Sequence, residues 1–175
     1  MARKPLTPLR AITYGVVAGL AGTAAMDALM YKRFLADGGE QGLFDWETAA
    51  GVNSYDGAPA PAQVGRRLVE GYLQIELPPA SARPMTTVMH WATGVSWAVN
   101  HAVVVGSMNR RRPAYGLLTG MIAWTASYAT LAPAKLYQPI WCYPAPVLLE
   151  DASAHAVYGL VTGAVFTLLA GPRAS

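Results

Sequence analysis

Residues 113–134, PAYGLLTGMIAWTASYATLAPA, contain no Asp, Glu, Lys or Arg, and Arg110, Arg111 and Arg112 stand directly before them. A polar backbone crosses a ~30 Å hydrocarbon core as a helix of roughly 20–25 mostly apolar residues, so this stretch reads as a membrane-spanning helix. Three other runs share its character. Ala11 to Tyr31 carries only Asp27, while Pro84 to Met108 and Ala152 to Gly171 carry no charge.

The opening of the quoted run, Tyr115-Gly116 with Gly120, repeats Tyr14-Gly15 with Gly19, and His90 with Gly94 recurs as His155 with Gly159. The expected fold class is therefore an all-α membrane protein. Its four transmembrane helices form a duplicated two-helix hairpin in parallel repeats, related by a pseudo-twofold along the membrane normal. One membrane domain is expected over 1–175. Its helices are placed at about 11–33, 84–108, 113–134 and 150–171. An outer loop spans 34–83, a cytoplasmic loop 109–112 and a second outer loop 135–149.

The composition agrees, with 53% apolar and only 13% charged residues, against about 25% charged in a typical soluble domain. Arg3, Lys4, Arg10, Arg110, Arg111, Arg112 and Arg173 lie at one set of helix ends, and all ten Asp and Glu lie at or between the other ends. The positive-inside bias then puts both termini in the cytoplasm. The net charge of +3 is explained by topology and calls for no nucleic acid. The first run exceeds the usual core of a cleaved signal peptide, and its motif recurs internally, so it is expected to be retained. Cys142, the single cysteine, forms no internal disulfide and is read as interfacial packing.

Within the long outer loop, Val64, Leu68 and Tyr72 recur every four residues opposite Arg66, Arg67 and Glu70. They predict a short amphipathic helix at about 61–74, begun by Pro61 and ended by Pro78-Pro79, lying on the outer membrane face. The shorter loop carries Trp141 and Tyr143 as headgroup-level anchors.

Rows at four-residue steps contain small residues that permit close helix approach in lipid. They are Gly15, Gly19, Thr23 and Asp27; Gly116 and Gly120; Thr86, His90, Gly94 and Ala98; and Asp151, His155, Gly159 and Gly163. At ~1.5 Å per residue, Asp27, His90 and His155 fall within roughly 6–9 Å of the outer boundary. With Asp151 and Glu150 they are expected to form one polar cluster beneath the outer loops. Asn100 and His101 lie about 15 Å deeper. Three roles fit the cluster. It locks the helices by hydrogen bonds, relays protons through histidines that titrate near neutrality, or holds a metal through His90, Asp151 and His155 with Asp27. No cofactor is otherwise expected, and no phosphate loop, zinc-protease or nucleophile-elbow motif supports enzymatic chemistry.

The second half resembles the YagU-like family of small bacterial inner-membrane proteins. The resemblance rests on Gly116-Leu117-Leu118-Thr119-Gly120, the prolines and Trp141 that follow, and an acidic residue four before His155, where that family has Glu in place of Asp151. The chain also resembles four-helix membrane proteins of high-GC bacteria in Pro61-Ala62-Gln63-Val64-Gly65-Arg66-Arg67, His90-Trp91 and His155 with Tyr158-Gly159. The resemblance implies a multi-pass membrane protein linked to acid or envelope stress. A non-enzymatic role in such homeostasis is the leading expectation, with the bilayer and a second copy or another membrane protein as partners. An oligomeric proton, ion or small-solute conduit and a membrane-embedded metal-binding protein are the alternatives.

Overall fold

The computed structural model describes residues 6–108 and 110–171. Six α-helices occur among them: α1 (Pro8–Ala36), α2 (Leu43–Glu47), α3 (Ala60–Leu68), α4 (Ala82–Ser107), α5 (Ala114–Leu131) and α6 (Ala145–Ala170). No strand is present among the described residues. Two of these helices, α1 and α6, are long and apolar enough to cross a membrane. The shorter α5 and the more polar α4, with Arg83, Asn100 and two histidines, fall below that mark. Arg3, Lys4 and Arg173, three of the charges used for orientation, lie outside the described residues.

Local chemistry sets the helix ends. Thr7 caps α1 by accepting from the Arg10 N–H at 3.4 Å, and Pro8 occupies the first turn, where its missing N–H costs nothing. Helix α6 starts at Ala145, ahead of the expected Glu150, because Pro144 and Pro146 both suit a first turn. It ends at Gly171, whose φ of 71° favours glycine. Arg111, expected only as a topological charge, is buried. It donates to Gly106 O at 3.0 Å and Ala170 O at 3.1 Å, capping the last turns of α4 and α6 together.

α1 packs against both α4 and α6, and α6 packs in turn against α5. The small-residue rows form two of these seams. A Cβ on Gly15 would lie 2.8 Å from Val99 Cα, and one on Gly19 would lie 2.8 Å from Val95 Cα. On the other side, a Cβ on Gly116 would overlap Gly159 O, and one on Gly120 would overlap His155 O. The α1–α6 seam uses a different face, with Gly22 against Tyr158 and Thr162. Phe166, fully buried, fills the centre with Ala18, Ala102 and Val105 around it.

The distribution of polarity is reversed from that of a water-soluble bundle. Around Phe166, Tyr158 and Tyr128 the interior is mostly alanine, glycine and threonine, with Thr23 and Thr162 fully buried. The outward faces of the long helices carry Val88, Val104, Leu118 and Leu168, all more than half exposed.

The amphipathic segment forms as α3 plus a wider π turn, Val69–Leu73, but it buries small residues beside the large apolar ones rather than the large ones themselves. Ala62 and Gly65 are the buried residues, because α3 packs closely on α4 with Met85 and Met89 over Gly65. Tyr72 is 84% exposed and Leu73 62%. Tyr55, Ala62 and Ala82 form a second small core, with Tyr55 OH 2.9 Å from Ser81 Oγ and the Arg66 guanidinium stacked 5.1 Å above the Tyr55 ring. Arg67 ties the same segment to the Ala134 carbonyl at 2.6 Å.

Gly116→Ala is expected to force α5 and α6 apart, because the added methyl overlaps backbone rather than a movable side chain. The loss should reach about 1–3 kcal/mol, the usual cost of overpacking. Denaturant unfolding of the purified protein measures it, with the exposed Leu118→Ala as a near-neutral control.

Candidate functional site

Asp27 and His90 meet across the α1–α4 seam. Glycines below let the two backbones approach, so Asp27, two turns above Gly19, faces His90, one turn above Gly94. His90 Nε2–H donates to Asp27 Oδ1 at 2.9 Å and Oδ2 at 3.1 Å, and Asp27 is only 5% exposed. Above them sits α2. The Trp91 indole N–H donates to Glu47 Oε1 at 2.6 Å. Trp46 packs into Tyr31 and Phe34, with ring centroids 5.4 and 6.2 Å away, and Arg83 bonds Thr48 O and Oγ1 at 3.0 and 2.8 Å.

Burial raises the Glu47 pKa, and the nearby Asp27 carboxylate adds to the rise, while the Trp91 hydrogen bond and His90 oppose it. A carboxyl whose pKa is higher folded than unfolded favours the folded arrangement when protonated. Its contribution is full below the unfolded pKa and fades as pH rises through the folded one. Acid therefore favours the docked state of α2.

The second histidine makes a different arrangement on α5 and α6. His155 Nδ1 lies 3.0 Å from Asp151 O and 3.2 Å from Asp151 Oδ1. Asp151 Oδ2 accepts from Tyr128 OH at 2.9 Å and from the Trp124 indole N–H at 3.1 Å. Tyr128 is packed among Trp124, Tyr137 and Tyr143 at centroid distances of 5.4–5.7 Å. Burial, with Asp151 nearby, raises the pKa of the loop phenol Tyr137.

The single polar cluster expected from depth is thus two pairs, with no hydrogen bond between them. Position along the helix does not fix azimuth, and azimuth separates them. Asp27 points toward α4 and Asp151 toward α5, because each row packs within its own hairpin. The α1–α6 seam between the pairs is filled by Gly22, Tyr158 and Thr162. Glu150 contributes its backbone carbonyl, which accepts from Arg33 at 2.9 Å, rather than its carboxylate. The metal set His90, Asp151, His155 and Asp27 does not assemble. Among the described residues no three His, Cys, Asp or Glu side chains gather as a metal site requires. The deeper His101 is buried against Phe166 and bonds Thr119 Oγ1 through Nδ1 at 2.8 Å.

Glu47, Trp91, Trp124 and Tyr128 are site residues that sequence reasoning missed. Two had a signal, since the row Gly116, Gly120 continues at four-residue steps to Trp124 and Tyr128. Glu47 had none, because its loop shows no period. Comparisons with protein-family models, with curated proteins and with solved structures find no match for this chain.

Each pair places an imidazole against a carboxylate at the same end of the bundle. Because the pairs share no partner, their mutations separate. Asp27→Ala and His90→Ala should couple by about 0.5–3 kcal/mol in a double-mutant cycle, whereas Asp27→Ala and Asp151→Ala should add within about 0.5 kcal/mol. Unfolding measurements on the three single and two double variants decide this, and strong Asp27–Asp151 coupling would contradict two independent pairs.

Proposed function

We propose that this chain is a multi-pass bacterial plasma-membrane protein of the YagU-like kind, not an enzyme. Its two outer His–carboxylate pairs make the packing of the bundle sensitive to external acid, in support of envelope or acid-stress homeostasis. The observation that carries the membrane reading is the reversed polarity of the bundle. Valines and leucines face outward along α4 and α5 as well as α1 and α6, over an interior mostly of glycine, alanine and threonine. Water penalises an apolar outer surface of that extent and a lipid phase does not. All four long helices are accordingly read as spanning, with both termini cytoplasmic.

The parallel-repeat reading is supported by how the motifs pair. Tyr-Gly helices α1 and α5 each pack their glycines against the His-Gly helix of the same hairpin, α4 and α6. When the two His-Gly motifs are superposed, His101 and Phe166 take equivalent places, and their rings meet edge to face at 5.6 Å near the bundle centre. That is the contact expected of equivalent residues beside a pseudo-twofold axis.

The acid reading rests on the outer pairs and on α2 above one of them, where Glu47 docks best when protonated. A second copy or another membrane protein is the natural partner for the exposed apolar faces.

Two measurements test the reading. Cys142 is exposed in the short outer loop, so a membrane-impermeant maleimide should label it in intact spheroplasts. Labelling only after permeabilisation overturns the topology. Cells carrying His90→Gln with His155→Gln should survive acid shock less well than wild type. Equal survival, with equal protein abundance in the membrane, removes the pH-linked role.

A further inference from the structure

A half-open cavity of about 340 Å³ lies where the end of α1, helix α2 and the start of α6 come together, with Asp151, the partner of His155, on one wall. Small-molecule sites usually measure ~300–1,000 Å³, so this one has room for a small ligand. Its charged lining is Asp37, Glu150 and Asp151 against the single Arg33, which leaves it net negative. The rest is aromatic and apolar, with Phe34 and Trp46 on one side and Met30 and Val147 on another.

The charged groups differ in what they have left to offer. The Arg33 guanidinium is committed to Glu150 O at 2.9 Å and Ser153 Oγ at 2.8 Å. Asp151 already accepts from Tyr128 and Trp124. The carboxylates of Asp37 and Glu150 accept no hydrogen bond from the described residues and remain able to meet a ligand. They do not converge with a third acidic or imidazole group as a metal ion would demand. Separated carboxylates beside aromatic walls suit a larger, weakly hydrated cation, which gains from ring faces as well as from charge.

We propose that this cavity binds an organic ammonium group, with Asp37 and Glu150 as counter-charges and Trp46 and Phe34 as its walls. The site opens at the outer end of the bundle, so the ammonium is either a free amine from outside or a lipid headgroup entering from the side. The inference does not depend on the acid-stress role, and its test reads binding alone.

The experiment titrates the full-length, detergent-purified protein with choline and with 3,3-dimethylbutan-1-ol, its uncharged isostere, by calorimetry. Choline should bind saturably, and the isostere at least about tenfold more weakly, a difference of about 1.4 kcal/mol. Asp37→Asn with Glu150→Gln should weaken choline by at least about tenfold while the melting temperature stays that of wild type. Neither carboxylate holds the fold, and the isostere comparison on the unaltered protein needs no variant. Titration in phosphatidylglycerol nanodiscs, with and without phosphatidylcholine, separates the sources. Competition by the lipid identifies a headgroup site, and unchanged affinity identifies a free-amine site. Absence of saturable choline binding, equal binding of the isostere, or unchanged binding in the variant overturns the proposal.

Discussion

The approach of backbone to backbone at the α5–α6 and α1–α4 seams is the constraint on which the rest of the structure depends. At Gly116, Gly120 and Gly159 there is no room for a single added carbon, since the neighbouring group is a carbonyl oxygen of the facing helix. Two helices held that close have few choices of rotation about their axes. The residues one and two turns beyond the glycines are therefore aimed, and they are the polar ones. His90 meets Asp27, and Asp151 meets Tyr128 and Trp124, because the glycines beneath fix the register. In a lipid phase, where apolar side chains gain little by leaving the solvent, contact of this closeness and hydrogen bonds across it are the main sources of helix association.

The outer segment is built on a separate principle. It has its own small core of Tyr55, Ala62 and Ala82, and it is tied to the bundle by cations reaching backbone or hydroxyl oxygens. Arg67 bonds Ala134 O and Arg83 bonds Thr48, while Arg33 makes a similar tie between α1 and α6 through Glu150 O and Ser153. Basic residues that would only mark sidedness in a charge count are thus the fastenings of the loops. They work at the bundle's acidic end, where a guanidinium is the natural donor for several carbonyls at once. The aromatic trio Tyr31, Phe34 and Trp46 adds the apolar half of that attachment and keeps α2 over the Asp27–His90 pair.

Much of this was legible in the residues themselves. The four long helices follow from uncharged runs, and the glycine rows named the faces that meet. What could not be read was which row faces which. Gly22 lies off the repeated motif, yet it forms the α1–α6 seam that keeps the two pairs apart. A helical row gives depth at ~1.5 Å per residue but leaves the azimuth of its partner open, so the expectation of one cluster overreached. The same limit applies to α3. Its large apolar residues suggested a buried face, whereas close packing on α4 required the small one, Ala62 and Gly65.

The two hairpins also differ in where they keep their acid. When the repeated motifs are superposed, Asp27 coincides with Tyr128 and Thr86 with Asp151. In the first hairpin the carboxylate belongs to the helix opposite the histidine, and in the second it belongs to the histidine's own helix. What the two halves share is therefore a seam with one imidazole and one acid. The seam dictates the pair of charges, and either wall can supply the negative one. Seams built on the same glycine motif can thus differ in chemistry, because exchanging the carrier of the acid leaves the glycine contact below it untouched.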